Sequence, residues 1–163
     1  MRRPRIALVV AASPSTNVFS RVFLPRVGIP GLGATLKKLG YECELWFQTI
    51  SPVDEDHLRR FDIVGISCLT CEAPYAYRLA DSIRHDGTTV VIGGPHATFN
   101  VEEALEHSDY VVLGEGDATF PALVDALARG EVPEAVPGLA FQLPGGAVCC
   151  TGKADVVDFA SLP

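Results

Sequence analysis

The residues best placed to do chemistry in this chain are glycines with small polar neighbours. Val90-Val91-Ile92-Gly93-Gly94-Pro95-His96 and Val111-Val112-Leu113-Gly114-Glu115-Gly116 are apolar, β-branched runs that stop abruptly in glycine. Gly65-Ile66-Ser67-Cys68-Leu69-Thr70 ends in the same manner with hydroxyls. Buried parallel strands read this way where their C-terminal ends open onto a ligand crevice. Glycine there lets backbone groups approach a ligand closely. Ser67 and Thr70 add hydroxyls that can bond without filling space. This is binding chemistry: no Ser-His-Asp set or carboxylate pair can be argued, and no catalytic residue or metal ligand is assigned. Glu115 is the acid of the predicted crevice, and His96 is the histidine at a strand tip, open between contacting a ligand and serving as an ordinary loop residue. His57, His85 and His107 fall on polar helical segments and read as solvated.

Other motifs bound the possibilities. Cys68-x-x-Cys71 lies at the third strand tip and is open between incidental thiols, a redox pair and half a zinc site. Five cysteines, with Cys149 and Cys150 adjacent, make no disulfide framework, so reduced thiols in the cytoplasm are expected. Gly31-Leu32-Gly33 lacks the Gly-Lys-Ser/Thr of a phosphate loop, and Leu36 occupies the third glycine position of a dinucleotide fingerprint. The segment from Ser13 to Pro30 also replaces the tight turn that a dinucleotide site needs. It carries Phe19, Phe23 and Leu24 beside Arg21 and Arg26, which suits covering a large, flat, partly apolar ligand or facing a second domain.

The elements that must position these groups alternate along 163 residues, a length that suits one domain. Strands are expected over 6–11, 41–47, 62–68, 89–92 and 110–113. Helices are expected over 31–39, 54–61, 73–84 and 101–107, and a last one carries Phe120, Leu123, Val124 and Leu127 and stops at Gly130. The expected fold is α/β: a flavodoxin-like, doubly wound, parallel five-stranded sheet in the order 2-1-3-4-5. A C-terminal β-hairpin is expected over 138–143 and 147–151, around Pro144-Gly145-Gly146. Residues 1–137 form the expected binding domain, and 138–163 the hairpin and the start of a linker. Hydrophobic residues make up 48% of the chain and charged residues 20%, and the net charge of −7 argues against a nucleic-acid partner. No apolar run is long enough to span a membrane. The basic start, Met1 to Arg5, reads as leading into the first strand and not as a signal peptide.

Several motifs recur together: Pro25-Arg26-Val27-Gly28-Ile29-Pro30-Gly31-Leu32, Asp62 to Ser67, Gly93 to Thr98, Asp109 to Gly116, Gly138 to Phe141 and Leu162-Pro163. At this spacing the chain resembles the N-terminal cobalamin (vitamin B12)-binding domain of B12-dependent radical S-adenosylmethionine (SAM) proteins. The resemblance covers essentially the whole chain. It implies a cobalamin whose nucleotide tail inserts beside the third and fourth strands, where Gly65, Ser67, Gly93 and Gly94 are small. The implied cofactor-binding residues are Ser67, Leu69, Thr70, Gly93, Gly94, Pro95, His96, Gly114, Glu115 and Gly116.

The chain departs from the wider fold at two points. The first loop has no Asp-x-His-x-x-Gly, so cobalamin is expected base-off, without a histidine ligand. The iron–sulfur Cys-x-x-x-Cys-x-x-Cys is also lacking, so SAM and a 4Fe-4S cluster are expected only in a downstream radical SAM domain of the same polypeptide. The resemblance implies a parent methyltransferase or related enzyme, with cobalamin as methyl carrier, while this chain alone cleaves no SAM. A different reading is a B12-fold domain without cofactor that serves as an interaction or substrate-gating module. A flavin binder fits less well, because its first loop is a short phosphate cradle.

Overall fold

A computed structural model of the chain describes residues 2–13, 26–85 and 87–154. The segment bearing Phe19, Arg21, Phe23 and Leu24, and the chain beyond residue 154, lie outside the described residues. The strands are β1 (Arg5–Val10), β2 (Glu42–Phe47), β3 (Ile63–Ser67), β4 (Thr89–Gly93), β5 (Tyr110–Val112), β6 (Leu139–Gln142) and β7 (Val148–Cys150). The helices are α1 (Gly28–Lys38), α2 (Glu55–Leu58), α3 (Ala73–Ile83), α4 (Pro95–Phe99), α5 (Val101–Glu106) and α6 (Gly116–Arg129).

All strands join one sheet in the order β2-β1-β3-β4-β5-β6-β7. The first five are parallel in the expected 2-1-3-4-5 arrangement. The hairpin β6–β7 is not a separate appendage: β6 pairs antiparallel with β5 and extends the sheet to seven strands. β5 has only three residues and a free side beyond β4, so the hairpin covers an otherwise exposed edge.

Two aspartates just before buried strands help to fix the register. Asp62 accepts the Arg5 backbone N–H at 2.7 Å and ties β3 to β1. Asp109 accepts the Val90 N–H at 2.7 Å and ties β5 to β4. Each carboxylate is also paired with an arginine, Arg2 and Arg84 respectively. A side-chain acceptor for a backbone donor at a strand entrance satisfies a group that the ladder leaves open.

Alternation along the strands divides the core in two. One face carries Ile6, Leu8, Ile63, Val91 and Val112 under α1 and α6. The other carries Val9, Val64, Ile66, Val90 and Ile92, packed with residues of α2, α3, α4 and α5. α1 buries Leu32 and Leu36, and its last turn holds Lys37 and Lys38, whose charge suits a helix C-terminus. α3 buries Ala76, Tyr77, Ala80 and Ile83 on one stripe. α6 begins at Gly116, earlier than its apolar stripe suggests, and holds Pro121 inside. A proline lacks the N–H that would bond back one turn, which makes the first turn of this helix hard to read from sequence.

Candidate cofactor-binding site

A cleft of about 450 Å³ opens at the C-terminal ends of the parallel strands, on the α1/α6 face. Its floor is Leu8, Gly65, Val91 and Val112, and its walls are Gly28, Ile29 and Leu32 of α1 and Asp117 and Phe120 of α6. The volume falls within the roughly 300–1,000 Å³ of small-molecule sites.

The cleft exists because side chains shrink along this face. β3 goes from Ile63 to Gly65 to Ser67, and β4 from Val91 to Gly93. A Cβ on Gly65 would lie 2.9 Å from Leu8 Cδ2 and 3.0 Å from Phe120 Cε2, so any side chain there displaces residues that line the cleft. Gly94 has φ +96°, which L side chains rarely adopt. A Cβ at that position would meet the Cys68 carbonyl at 2.9 Å and Ser67 Oγ at 3.1 Å.

Thr98 joins the two glycine tips. Its hydroxyl donates to the Gly94 carbonyl at 3.0 Å and accepts the Gly114 N–H at 3.0 Å. The β4 and β5 loops are thereby held together at the mouth. Cys68 N–H donates to the Gly93 carbonyl at 3.2 Å, which continues the tie to the β3 loop.

Of the residues expected at the site, the structure gathers Ser67, Gly93, Gly94, Pro95, Gly114, Glu115 and Gly116 around this cleft. Leu69 and Thr70 are exposed on the loop after β3 and do not line it. His96 is also outside the lining. The Gly93–His96 segment runs into α4, where Pro95, Thr98 and Phe99 share one side and His96 and Asn100 another. The His96 ring is buried on the opposite face, with Nδ1 3.3 Å from Asn100 Nδ2 and the ring centroid 5.9 Å from that of Tyr77. Its Nε2 lies 3.6 Å from Glu103 Oε1, beyond hydrogen-bond distance. Burial, then the Glu103 carboxylate, pushes the Tyr77 hydroxyl well above its ordinary value.

The other histidines are not simply solvated. His57 bonds Glu44 at 2.9 Å, His107 bonds Asp81 at 2.9 Å and stacks on Tyr77, and His85 approaches the Arg59 carbonyl at 3.2 Å. All four histidines of the sequence are described, and none lines the cleft. Cys68 is buried and Cys71 exposed, both as free thiols, and burial pushes the Cys68 thiol up to about 12. That is the opposite of an activated thiolate. Among the described residues no group of three or more His, Cys, Asp or Glu could hold a metal ion, and no helix is long and apolar enough to cross a membrane.

Sequence reasoning placed the site at strand tips and missed its helical walls. Ile29, Leu32 and Phe120 carry no binding signature, since helical apolar stripes read as core. Thr98 stood within the Gly93–Thr98 motif, but its cross-link depends on α4, a helix not expected from the sequence. Arg26 stood in the first loop without an assigned role.

The doubly wound sheet and its edge cleft define a cofactor-binding α/β module. The family described as B12 binding domain matches residues 20–124, and this chain belongs to it. The bacteriochlorophyllide d C-8(2)-methyltransferase of Chlorobaculum tepidum is 46% identical over 74 residues, covering 45% of this chain and 16% of the relative. The cytidylyl-2-hydroxyethylphosphonate methyltransferase of Streptomyces wedmorensis is 30% identical across 88% of this chain and 33% of the relative. The chain thus spans a third or less of either relative. The cobalamin-dependent SAM radical enzyme OxsB, solved with aqua-cobalamin and SAM, superposes on 97% of this chain and 23% of its own with a TM-score of 0.78 at 19% identity, which is a likeness of fold.

Proposed function

We propose that this chain holds cobalamin with the nucleotide tail seated between α1 and α6 and with no histidine on the cobalt. The observation that carries this is a glycine-floored cleft that none of the four histidines lines. The cleft suits a tail. An aromatic base and its sugar fit a narrow, largely apolar slot, whereas a corrin plane needs the open edge above it. A side chain at Gly65 would crowd that slot, as a cofactor cradle requires.

In this reading Ser67, Gly93, Gly94 and Pro95 contact the tail near the mouth, and Thr98 keeps their loops in place. Leu69, Thr70 and Phe99, which is 85% exposed, lie at the strand edge where the corrin would rest. Gly114, Glu115 and Gly116 flank the cleft from the β5 side. His96 supports the α4 turn from behind. Bound cobalamin supplies a cobalt that carries a methyl group. The residues of this chain bind the cofactor and fix its orientation.

The parent polypeptide is then a radical SAM methyltransferase, or a related enzyme, whose SAM and 4Fe-4S cluster sit in a downstream domain. Two similar proteins that are named as methyltransferases, and an OxsB fold solved with cobalamin and SAM, support this. In this reading residues 1–137 form the cofactor module, and the β6–β7 hairpin extends its sheet. With its five cysteines free, the chain works in the cytoplasm, where they stay reduced.

The test is direct. The purified chain is mixed with hydroxocobalamin and desalted, and its visible spectrum is recorded. Retention of a base-off spectrum is the expected result. Loss of all colour on desalting would contradict the proposal, and a base-on or histidine-ligated spectrum would contradict its axial-ligand part.

A further inference from the structure

Arg26 is the one cationic side chain among the described residues that line the cleft, and two carboxylates, Glu115 and Asp117, line it too. Arg26 is held in place. Its Nη2 donates to Glu72 Oε1, and Glu72 Oε2 accepts the Leu69 N–H at 2.8 Å. Arg26, just before α1, is thereby tied to the β3–α3 loop through Glu72. This leaves Nη1 buried and without a hydrogen-bond partner. An unsatisfied buried donor on a charged group costs free energy, and a positioned guanidinium is suited to an anionic oxygen. Gly28 and Ile29, which open α1, line the same cleft, and the first turn of α1 contains no acid and no side-chain cap.

We infer that Arg26 is the phosphate contact of the cleft: Nη1 donates to a non-bridging oxygen of a nucleotide phosphodiester while Glu72 holds the other arm. This deepens the proposed function and rests on it, the phosphodiester being that of the cobalamin tail. Arg26 thus determines specificity for a ligand that carries an anionic tail.

Titration with hydroxocobalamin, followed by its visible spectrum, tests this with three forms of the chain. Arg26→Gln removes the charge and keeps some hydrogen-bonding capacity, so affinity should fall about 10- to 100-fold, the range of a lost charged hydrogen bond. Glu72→Gln leaves one amide oxygen for the two donors, Arg26 Nη2 and the Leu69 N–H, that the carboxylate serves with two oxygens, so the hold on the guanidinium is loosened but its charge remains. Its affinity for hydroxocobalamin should fall by less than that of Arg26→Gln, and neither substitution should change affinity for aquocobinamide, which has no phosphodiester. A merely structural ion pair predicts that affinity for both corrinoids falls alike. Thermal melting of each form shows whether the fold survives. Equal losses for hydroxocobalamin and aquocobinamide in Arg26→Gln, or an Arg26→Gln chain that binds hydroxocobalamin normally, would overturn the assignment alone. An unaltered chain that retains no hydroxocobalamin would overturn it together with the function on which it rests.

Discussion

Both faces of the sheet are covered by helices, yet one is filled and the other is open. Behind β3 and β4, Val64, Ile66, Val90 and Ile92 run apolar and bulky, and Cys68 continues the buried row beyond β3. On the opposite face the same strands run Ile63, Gly65, Ser67 and Val91, Gly93, so the space between α1 and α6 stays open toward the edge. Neighbouring residues of one strand therefore serve different ends. A closed face contributes the burial that stabilises the domain, at about 25 cal/mol per Å² of apolar surface. An open face forgoes some of that burial and gains a binding site.

The contrast can be broken most severely by filling the open face. Gly65→Val should weaken hydroxocobalamin binding about 100-fold or more, some 2.7 kcal/mol, because its branches meet Leu8 and Phe120 at the cleft floor. Overpacking costs only about 1–3 kcal/mol of stability, so denaturant melts should show a folded chain. Emptying the closed face should do the opposite. Ile92→Ala removes a fully buried side chain, and its expected cost is about 2–5 kcal/mol in urea unfolding. Where the variant is folded, its cobalamin affinity should match that of the unaltered chain. Weakened binding there would show that the faces are coupled.

Alkaline titration sharpens the comparison, since each core cluster contains one buried thiol. Burial pushes Cys43 up to about 11 and Cys68 up to about 12. Unfolded thiols ionise near 9, so the neutral folded forms contribute stability that is complete below pH 9. It is lost as pH rises through 11 and then 12. Each thiol should steepen the fall in unfolding free energy by at most about 1.4 kcal/mol per pH unit above pH 9. Cys43→Ala and Cys68→Ala should each flatten the slope between pH 9 and 10.5, and unchanged slopes would contradict the burial of these thiols. The smallest effect is expected at His96, which belongs to the closed face. His96→Asn should cost about 1 kcal/mol of stability and leave the visible spectrum of bound cobalamin unchanged. A shifted spectrum would place the imidazole on the cobalt side.

The sheet was largely legible because β-branched runs ending in glycine have few other readings. Alternation of strand and helix called for a parallel sheet, the 2-1-3-4-5 order is that of the flavodoxin-like form, and the hairpin followed from Pro144-Gly145-Gly146. Its docking on β5 was not legible, since sequence alone does not reveal that a three-residue strand leaves an edge to cover. The first turn of α6 lies before Pro121 and α4 begins at Pro95, and neither was legible, because proline interrupts the pattern by which a helix is recognised. The direction of His96 depends on that helix and so could not be read. Half of the cleft was invisible for another reason: a helical leucine or phenylalanine that lines a cleft has the same spacing as one that fills a core. Arg26 became meaningful only when Glu72, 46 residues away, was seen to hold it.

The most direct test of the tail-binding cleft compares hydroxocobalamin with aquocobinamide, which has the corrin but lacks the nucleotide tail. Each is titrated into the purified chain and followed by its visible spectrum. The open α1/α6 face predicts that the chain holds cobalamin at least about 10-fold tighter, a difference of roughly 1.4 kcal/mol, and that Gly65→Val abolishes the preference. Equal affinity for the two corrinoids would contradict it, because the cleft would then hold no tail.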